Sequence, residues 1–276
     1  MDFLIVNGEI VSKTEANLTG FLWDEPFTIS QKVWFGYGGI PLFNENIDFI
    51  SRQLQELKLL LPDNFRNTRE LFRITKRMLN KNKFYRSGIV HFQLFISRDK
   101  INTLVTSIAF PEFEFPFSMH GLLVNFSGLK KNAELPLNRF QFYNMPNWVT
   151  AEAQNRDTQF HSSILVNEKN KVCGGLFSNI FMVKENVLYT PSFDTGCYED
   201  TLRSVVIEQA HSMNLKVAET SGIGKEVLLS MDEIFFASEE LGIQWILGVE
   251  NKRFVHNYSA KIHEKINEYL KKKAEG

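Results

Sequence analysis

Only two cysteines, Cys173 and Cys197, occur in the 276 residues, and their spacing suits neither a metal site nor a disulfide framework. Both are expected to be small core residues with unbridged thiols. The six histidines, His91, His120, His161, His211, His256 and His263, stand singly, without His-x-His or His-x-x-x-His spacing, so no metal centre is expected. Net charge is nearly lacking too: 31 basic and 32 acidic side chains leave −1, which excludes an overall pull toward nucleic acid or an anionic membrane. No apolar run approaches the length of a bilayer span, and the opening MDFLIVNGEIVSK has no basic segment before a long apolar one. The expectation is a soluble, cytoplasmic protein. No Gly-x-Ser-x-Gly elbow supports a Ser-His-Asp arrangement, and the Gly36–Gly39 run precedes no Lys-Ser/Thr, so it reads as a hairpin turn.

What the chain does have is apolar mass. With 43% hydrophobic residues and 25 phenylalanines, it is long enough to bury one large core or two smaller ones. Asn7-Gly8 between short apolar runs marks an opening hairpin, and the alternation over 27–35 marks a half-buried strand. Helical spacing of Ile47, Ile50, Leu54, Leu57 and Leu61 predicts a helix over 45–61, stopped by Pro62, and a second is predicted over 68–80. Strands follow over 88–97 and 103–110, joined by the turn Arg98-Asp99-Lys100. PEFEFPFSMHG breaks the periodicity, so a domain junction is placed near 111–121, giving an N-terminal domain over 1–115 and a C-terminal one over 121–276. Beyond it come a strand over 122–126, with Lys130 and Lys131 in a following loop, and a helix over 147–156. A helix over 200–213 is predicted with Asp200 as its N-cap, then strands over 216–219 and 233–237 and a helix over 260–271.

The stretch from Ser163 to Pro191, SILVNEKNKVCGGLFSNIFMVKENVLYTP, resembles the second half of the pyridoxal-phosphate (PLP) enzymes of fold type IV, the D-amino-acid and branched-chain aminotransferases and aminodeoxychorismate lyase. There a turn reading Glu-Gly-x-x-Ser-Asn lines the cofactor pocket. Gly175, Ser178, Asn179, Ile180 and Phe181 fit it, and Gly174 stands in place of the glutamate. Four landmarks follow the family's order: NGEIV at 7–11, LFNENIDFISRQLQEL at 42–57, VLYTPSFDTGCYEDTLRSVVIEQA at 187–210, and SMDEIFFASEELG at 230–242, which resembles the later phosphate-contacting element. The resemblance implies an α+β, D-amino-acid aminotransferase-like fold with a smaller N-terminal α/β domain and a larger, barrel-like C-terminal domain with helices. It also implies a homodimer.

Carried over residue by residue, the resemblance implies altered chemistry. The family's Schiff-base lysine lies three or four residues before an asparagine that opens a helix. With Asn144 as that landmark its position falls at Gln141, or at Phe140 under a one-residue shift, and neither side chain forms an imine. The glutamate that keeps the pyridine nitrogen protonated becomes Gly174. The phosphate-binding arginine aligns with Phe49. In the Gly-Ile-Thr-Arg element Arg203 is kept while Asp200, Thr201 and Leu202 replace the rest, and after Ser238 a hydroxyl residue becomes Glu239, followed by Glu240. A carboxylate about 5 Å from a phosphate charge costs on the order of 3 kcal/mol at an effective dielectric near 20.

Each of these residues also has a plainer role. Glu239 and Glu240 suit the start of a short helix; Arg203 suits pairing with Asp200 or Glu199; Ser178 and Asn179 suit a turn. Among the histidines, His161 lies beside the signature strand. The expectation is a class IV aminotransferase-like protein without the Schiff-base lysine, a pseudoenzyme homologue binding a small molecule, with no cofactor and no nucleic-acid or membrane partner. Two alternatives stay open: a PLP-dependent aminotransferase or lyase with a displaced lysine, and a cofactor-independent enzyme using Glu239, Glu240 and Arg203.

Overall fold

The computed structural model describes residues 1–21, 27–98 and 100–275; Asp99, in the turn expected over 98–100, lies outside them. The chain divides into two compact units, Met1–Phe115 with Tyr269–Gly276, and Pro116–Glu268.

The first unit is a five-stranded antiparallel sheet, order β2-β1-β5-β4-β3, with helices packed on it. The opening hairpin joins β1 (Phe3–Val6) to β2 (Glu9–Ser12). Both turn residues are left-handed, Asn7 at φ 48° and Gly8 at φ 92°, as a two-residue hairpin of this twist requires. β3 (Phe27–Phe35) keeps Ile29, Gln31 and Val33 buried by its alternation, and Gln31 donates to Asn46 of the first helix at 2.6 Å. That helix, α1 (Phe43–Glu56), ends five residues before the expected stop. Lys58 turns left-handed at φ 58° and the Leu59 amide returns to the Leu54 carbonyl at 2.8 Å, which closes the helix before Pro62 is reached. The spacing of Leu61 was thus fortuitous. A short α2 (Asp63–Arg66), without a periodic signature, precedes α3 (Thr68–Lys81), whose Asn67 cap accepts the Glu70 amide. β4 (Ser87–Ile96) and β5 (Ile101–Phe110) complete the sheet.

The second unit carries a curled sheet of nine strands, eight in the order β11-β10-β9-β12-β13-β6-β7-β8 and the ninth, β14, beside β13. β6 (Leu122–Lys131) extends five residues past its expected end. A register shift against β7 between Phe126 and Lys130 spoils the alternation that would have revealed it, so Lys130 and Lys131 lie on a strand rather than in a loop. α4 (Gln141–Asn155) starts six residues earlier than the sequence suggested, because Pro146 sits inside the helix instead of before it. Then come β7 (Ser162–Asn167), β8 (Val172–Gly175), β9 (Asn179–Lys184) and β10 (Val187–Pro191). α5 (Thr201–Ser212) leads to β11 (Lys216–Thr220), and a short α6 (Lys225–Leu229) to β12 (Glu233–Ser238) and β13 (Gly242–Val249). β14 (Lys252–Arg253) and α7 (Asn257–Glu275) close the chain.

Two of this unit's apolar clusters bear on the site. Ile180, Met182, Ile234, Phe236 and Ile246 fill one, and Trp148, Leu165, Cys173, Leu176 and Tyr198 fill the other, beneath α4. The second matters most, because it fixes the start of α5 against the β8–β9 turn.

Candidate active site at the start of α5

The sequence before α5 is extended at Asp200 (φ −138°, ψ 142°), which leaves the first helical amides without intrahelical partners. Asp200 supplies the missing acceptor: its Oδ1 takes the Leu202 amide at 2.6 Å, and its carbonyl takes the Arg203 amide at 3.1 Å. Burial pushes its pKa up to about 6, aided by the charge of Glu240 and opposed by the nearby backbone amides. The Thr201 hydroxyl donates to the Glu239 carboxylate. Beside them the phenol of Tyr198, stacked edge-on against Trp148, is held well above the usual tyrosine range by burial and by Asp200, Glu240, Glu239 and Glu199. The helix N-terminus, a natural anion seat, is therefore filled by acidic side chains of the chain itself.

Glu239 and Glu240 do not begin a helix as expected. They form the turn between β12 and β13, where Ser238 pairs with Gly242 and the Ser238 Oγ accepts the Leu241 amide at 3.2 Å. Arg203 also departs from expectation. Its Nη2 reaches the Pro191 carbonyl at 2.8 Å and Glu219 at 2.7 Å, with its guanidinium 4.6 Å from the Phe193 ring, so it pairs with neither Asp200 nor Glu199.

The signature turn closes through the Gly175 amide, which donates to the Ser178 carbonyl at 3.0 Å, with Phe177 at φ 55°. The Ser178 hydroxyl donates to the Leu176 carbonyl, and Asn179 enters β9 with its Nδ2 unpartnered. Gly174 adopts φ 158°, and a Cβ there would stand 3.3 Å from the Ser178 carbonyl oxygen, so a larger residue is disfavoured.

At the entry to α4, Phe140 is extended and buried and Gln141 is the first helical residue, its amide within 3.9 Å of the Met145 sulfur. Asn144 lies inside the helix rather than opening it, and its Nδ2 donates to the carbonyls of Asn138 and Phe140 at 2.7 Å each. Phe49 belongs to the first unit, fully buried on α1 with the Arg52 guanidinium 5.2 Å from its ring. The structure thus gathers Thr201, Leu202, Glu239 and Glu240 around Asp200, with Ser238 at the same turn; Arg203 points elsewhere.

His161 is exposed, and it clasps a strand: Leu123 exchanges its amide and carbonyl with the His161 Nδ1 and backbone amide. Sequence reasoning missed Lys131, Tyr198 and, in the first unit, the Ser30–His91 hydrogen bond across β3 and β4. The alternation of β3 places Ser30 and Lys32 on one face, and the register sets Lys32 opposite His91. Burial, then the Lys32 charge, lowers the His91 pKa to about 4. Among the described residues no group of His, Cys, Asp or Glu is arranged to hold a metal, and no helix is long and apolar enough to cross a membrane.

Residues 40–246 match the family model for amino-transferase class IV. The chain belongs to that family. Among curated relatives, a probable branched-chain-amino-acid aminotransferase of Thermotoga maritima is 38% identical over 80 residues, 29% of each chain, and the aminodeoxychorismate lyase of Bacillus subtilis is 35% identical over 80 residues, 29% of this chain and 27% of that one. The chain therefore matches under a third of the length of these two relatives. A weaker likeness, 24% identical, extends over 80% of this chain and 78% of a probable branched-chain-amino-acid aminotransferase of Rickettsia bellii. In fold, the branched-chain aminotransferase of Thermoproteus uzoniensis, solved with norvaline, superposes at a TM-score of 0.86 with 20% identity, covering 99% of this chain and 96% of that one. The Escherichia coli branched-chain aminotransferase does so at 0.83 with 15% identity, covering 95% and 92%. The expectation of a mixed α/β, fold-type IV architecture holds for this class IV chain.

Proposed function

We propose that this class IV protein does not use PLP and instead binds a small molecule on the inherited scaffold, a pseudoenzyme with respect to transamination. The carrying observation is the Asp200 carboxylate seated on the amide of Leu202 at the start of α5. In the resemblance to fold type IV, this element and the one containing Ser238 receive the cofactor phosphate. A phosphate placed there would meet one carboxylate on its donors and a second, Glu239, occupied with the Thr201 hydroxyl. Repulsion on the order of 3 kcal/mol per charge pair weakens such binding roughly a hundredfold or more.

The other requirements point the same way. PLP would supply an aldehyde for imine formation and an electron sink; Gln141 and Phe140 offer no amine, and Gly174 offers no carboxylate to the ring nitrogen. Phe49 is fully buried, where an unpaired guanidinium is costly. The residues present do not fit the cofactor, so no PLP-dependent step is assigned. Assembly as a homodimer in the cytoplasm completes the reading and is tested by light scattering of the purified protein.

A second reading has one observation in its favour. Lys131 is buried with its amine drawn below the usual lysine range by desolvation, as an imine-forming lysine would be. Titrating the protein with PLP and following absorbance separates the two: saturable uptake lost in K131M supports the second, and no uptake supports the first.

A further inference from the structure

Lys131 is an ionisable side chain without a counter-ion. It is 3% exposed, and among the described residues its amine forms no ion pair; its one hydrogen bond runs to the Asn138 carbonyl at 3.2 Å. The same carbonyl receives the Asn144 Nδ2 at 2.7 Å, so lysine and asparagine converge on one oxygen. Around this point the polar inventory is incomplete. Asn138 Nδ2 and Asn144 Oδ1 are both buried without a partner, as is Trp148 Nε1 one turn further along α4.

Native interiors rarely leave such atoms unpaired, and a buried ammonium without an anion is costlier still. Asn144 cannot flip to help, since its Nδ2 already serves two carbonyls. With a proton on Lys131, one of its three donors serves the Asn138 carbonyl, and the described residues supply no acceptor to the other two. Asn138 Nδ2 asks for a further acceptor.

We propose that Lys131 and Asn138 form a site for the carboxylate of a small monoanionic ligand, with Asn144 sharing the Asn138 carbonyl with the lysine. A monocarboxylate matches one cation and two donor groups. A phosphate dianion carries one charge more than the single ammonium neutralises. The titratable groups facing the amine are Cys173 on β8 and Cys197 before α5, with Glu168 acting on the first and Arg203 on the second. Burial raises both thiols, Cys173 to about 12, so they stay neutral and do not supply the anion. This assignment gives the ligand class for the PLP-free reading and rests on it.

The test is acetate binding to the full-length protein, read by thermal stability and calorimetry against equal concentrations of chloride and of inorganic phosphate. Acetate should stabilise saturably and more than either control. Because the ammonium is the binding form, affinity should fall as pH is raised from 6 to 10, with proton uptake on binding at the higher pH. K131M should lose at least tenfold in acetate affinity, and N138A severalfold while its lysine remains. Equal effects of acetate and chloride, or unchanged affinity in K131M, would overturn the site and leave Lys131 a prop solvated by buried water. With no PLP uptake, that result sinks this assignment alone. A PLP band near roughly 420 nm that K131M abolishes sinks both readings.

Discussion

The Asp200 carboxylate lies 2.6 Å from the Leu202 amide nitrogen, so α5 begins on an anion carried by its own chain. Removing that anion while restoring small and hydroxyl side chains should reopen the seat. The double variant D200G/E239T is expected to bind inorganic phosphate, with a midpoint of unfolding that rises with phosphate concentration, by about 2.7 kcal/mol of added stability at a hundredfold excess over Kd. The native protein should show no phosphate dependence beyond that of chloride. A native protein stabilised as strongly as the variant would refute the self-occupied seat.

Asp200 and His91 impose opposite pH dependences. Asp200 keeps its proton up to about pH 6 in the fold and only to the ordinary carboxylate range when unfolded, so stability falls as pH rises from about 4 to 6. His91, lowered to about 4, binds its proton less readily in the fold, so stability rises with pH from about 4 to 6.5. Each shift is worth on the order of 3 kcal/mol. They nearly cancel, and the native protein should show a shallow profile in urea denaturation. D200N should then gain stability as pH rises through this window, and H91Q should lose it. Parallel profiles for the three proteins would contradict both assignments.

Phe49 on α1 is fully buried. F49R, which restores the residue type that the family resemblance implies, forces an unpaired guanidinium into the core and should destabilise the fold by more than about 4 kcal/mol. Soluble F49R with near-native urea midpoint would show that this position opens to a ligand.

The four family landmarks made the fold legible, because hairpin chemistry at Asn7-Gly8, alternation in β3 and the Asp200 cap are all local signals. What escaped was non-local. Lys131 reads as loop until the register shift in β6 is known, and Arg203 reads as an intrahelical partner until β11 brings Glu219 beside it. The substitution of Gly by Asp200 was visible in sequence, but that its carboxylate turns back onto the α5 amides follows only from the extended backbone at that residue. Likewise Glu239 and Glu240 carry a helix-start composition that the β12–β13 hairpin overrides.

The central claim is that this class IV chain does without PLP, and absorbance of the purified protein tests it most directly. Titrated with PLP and then treated with borohydride, it should show only the spectrum of free cofactor, with no protein-bound band between roughly 330 and 420 nm and no cofactor mass retained on the chain. A stoichiometric band that shifts on reduction, with the adduct mapped to any lysine, would contradict the account.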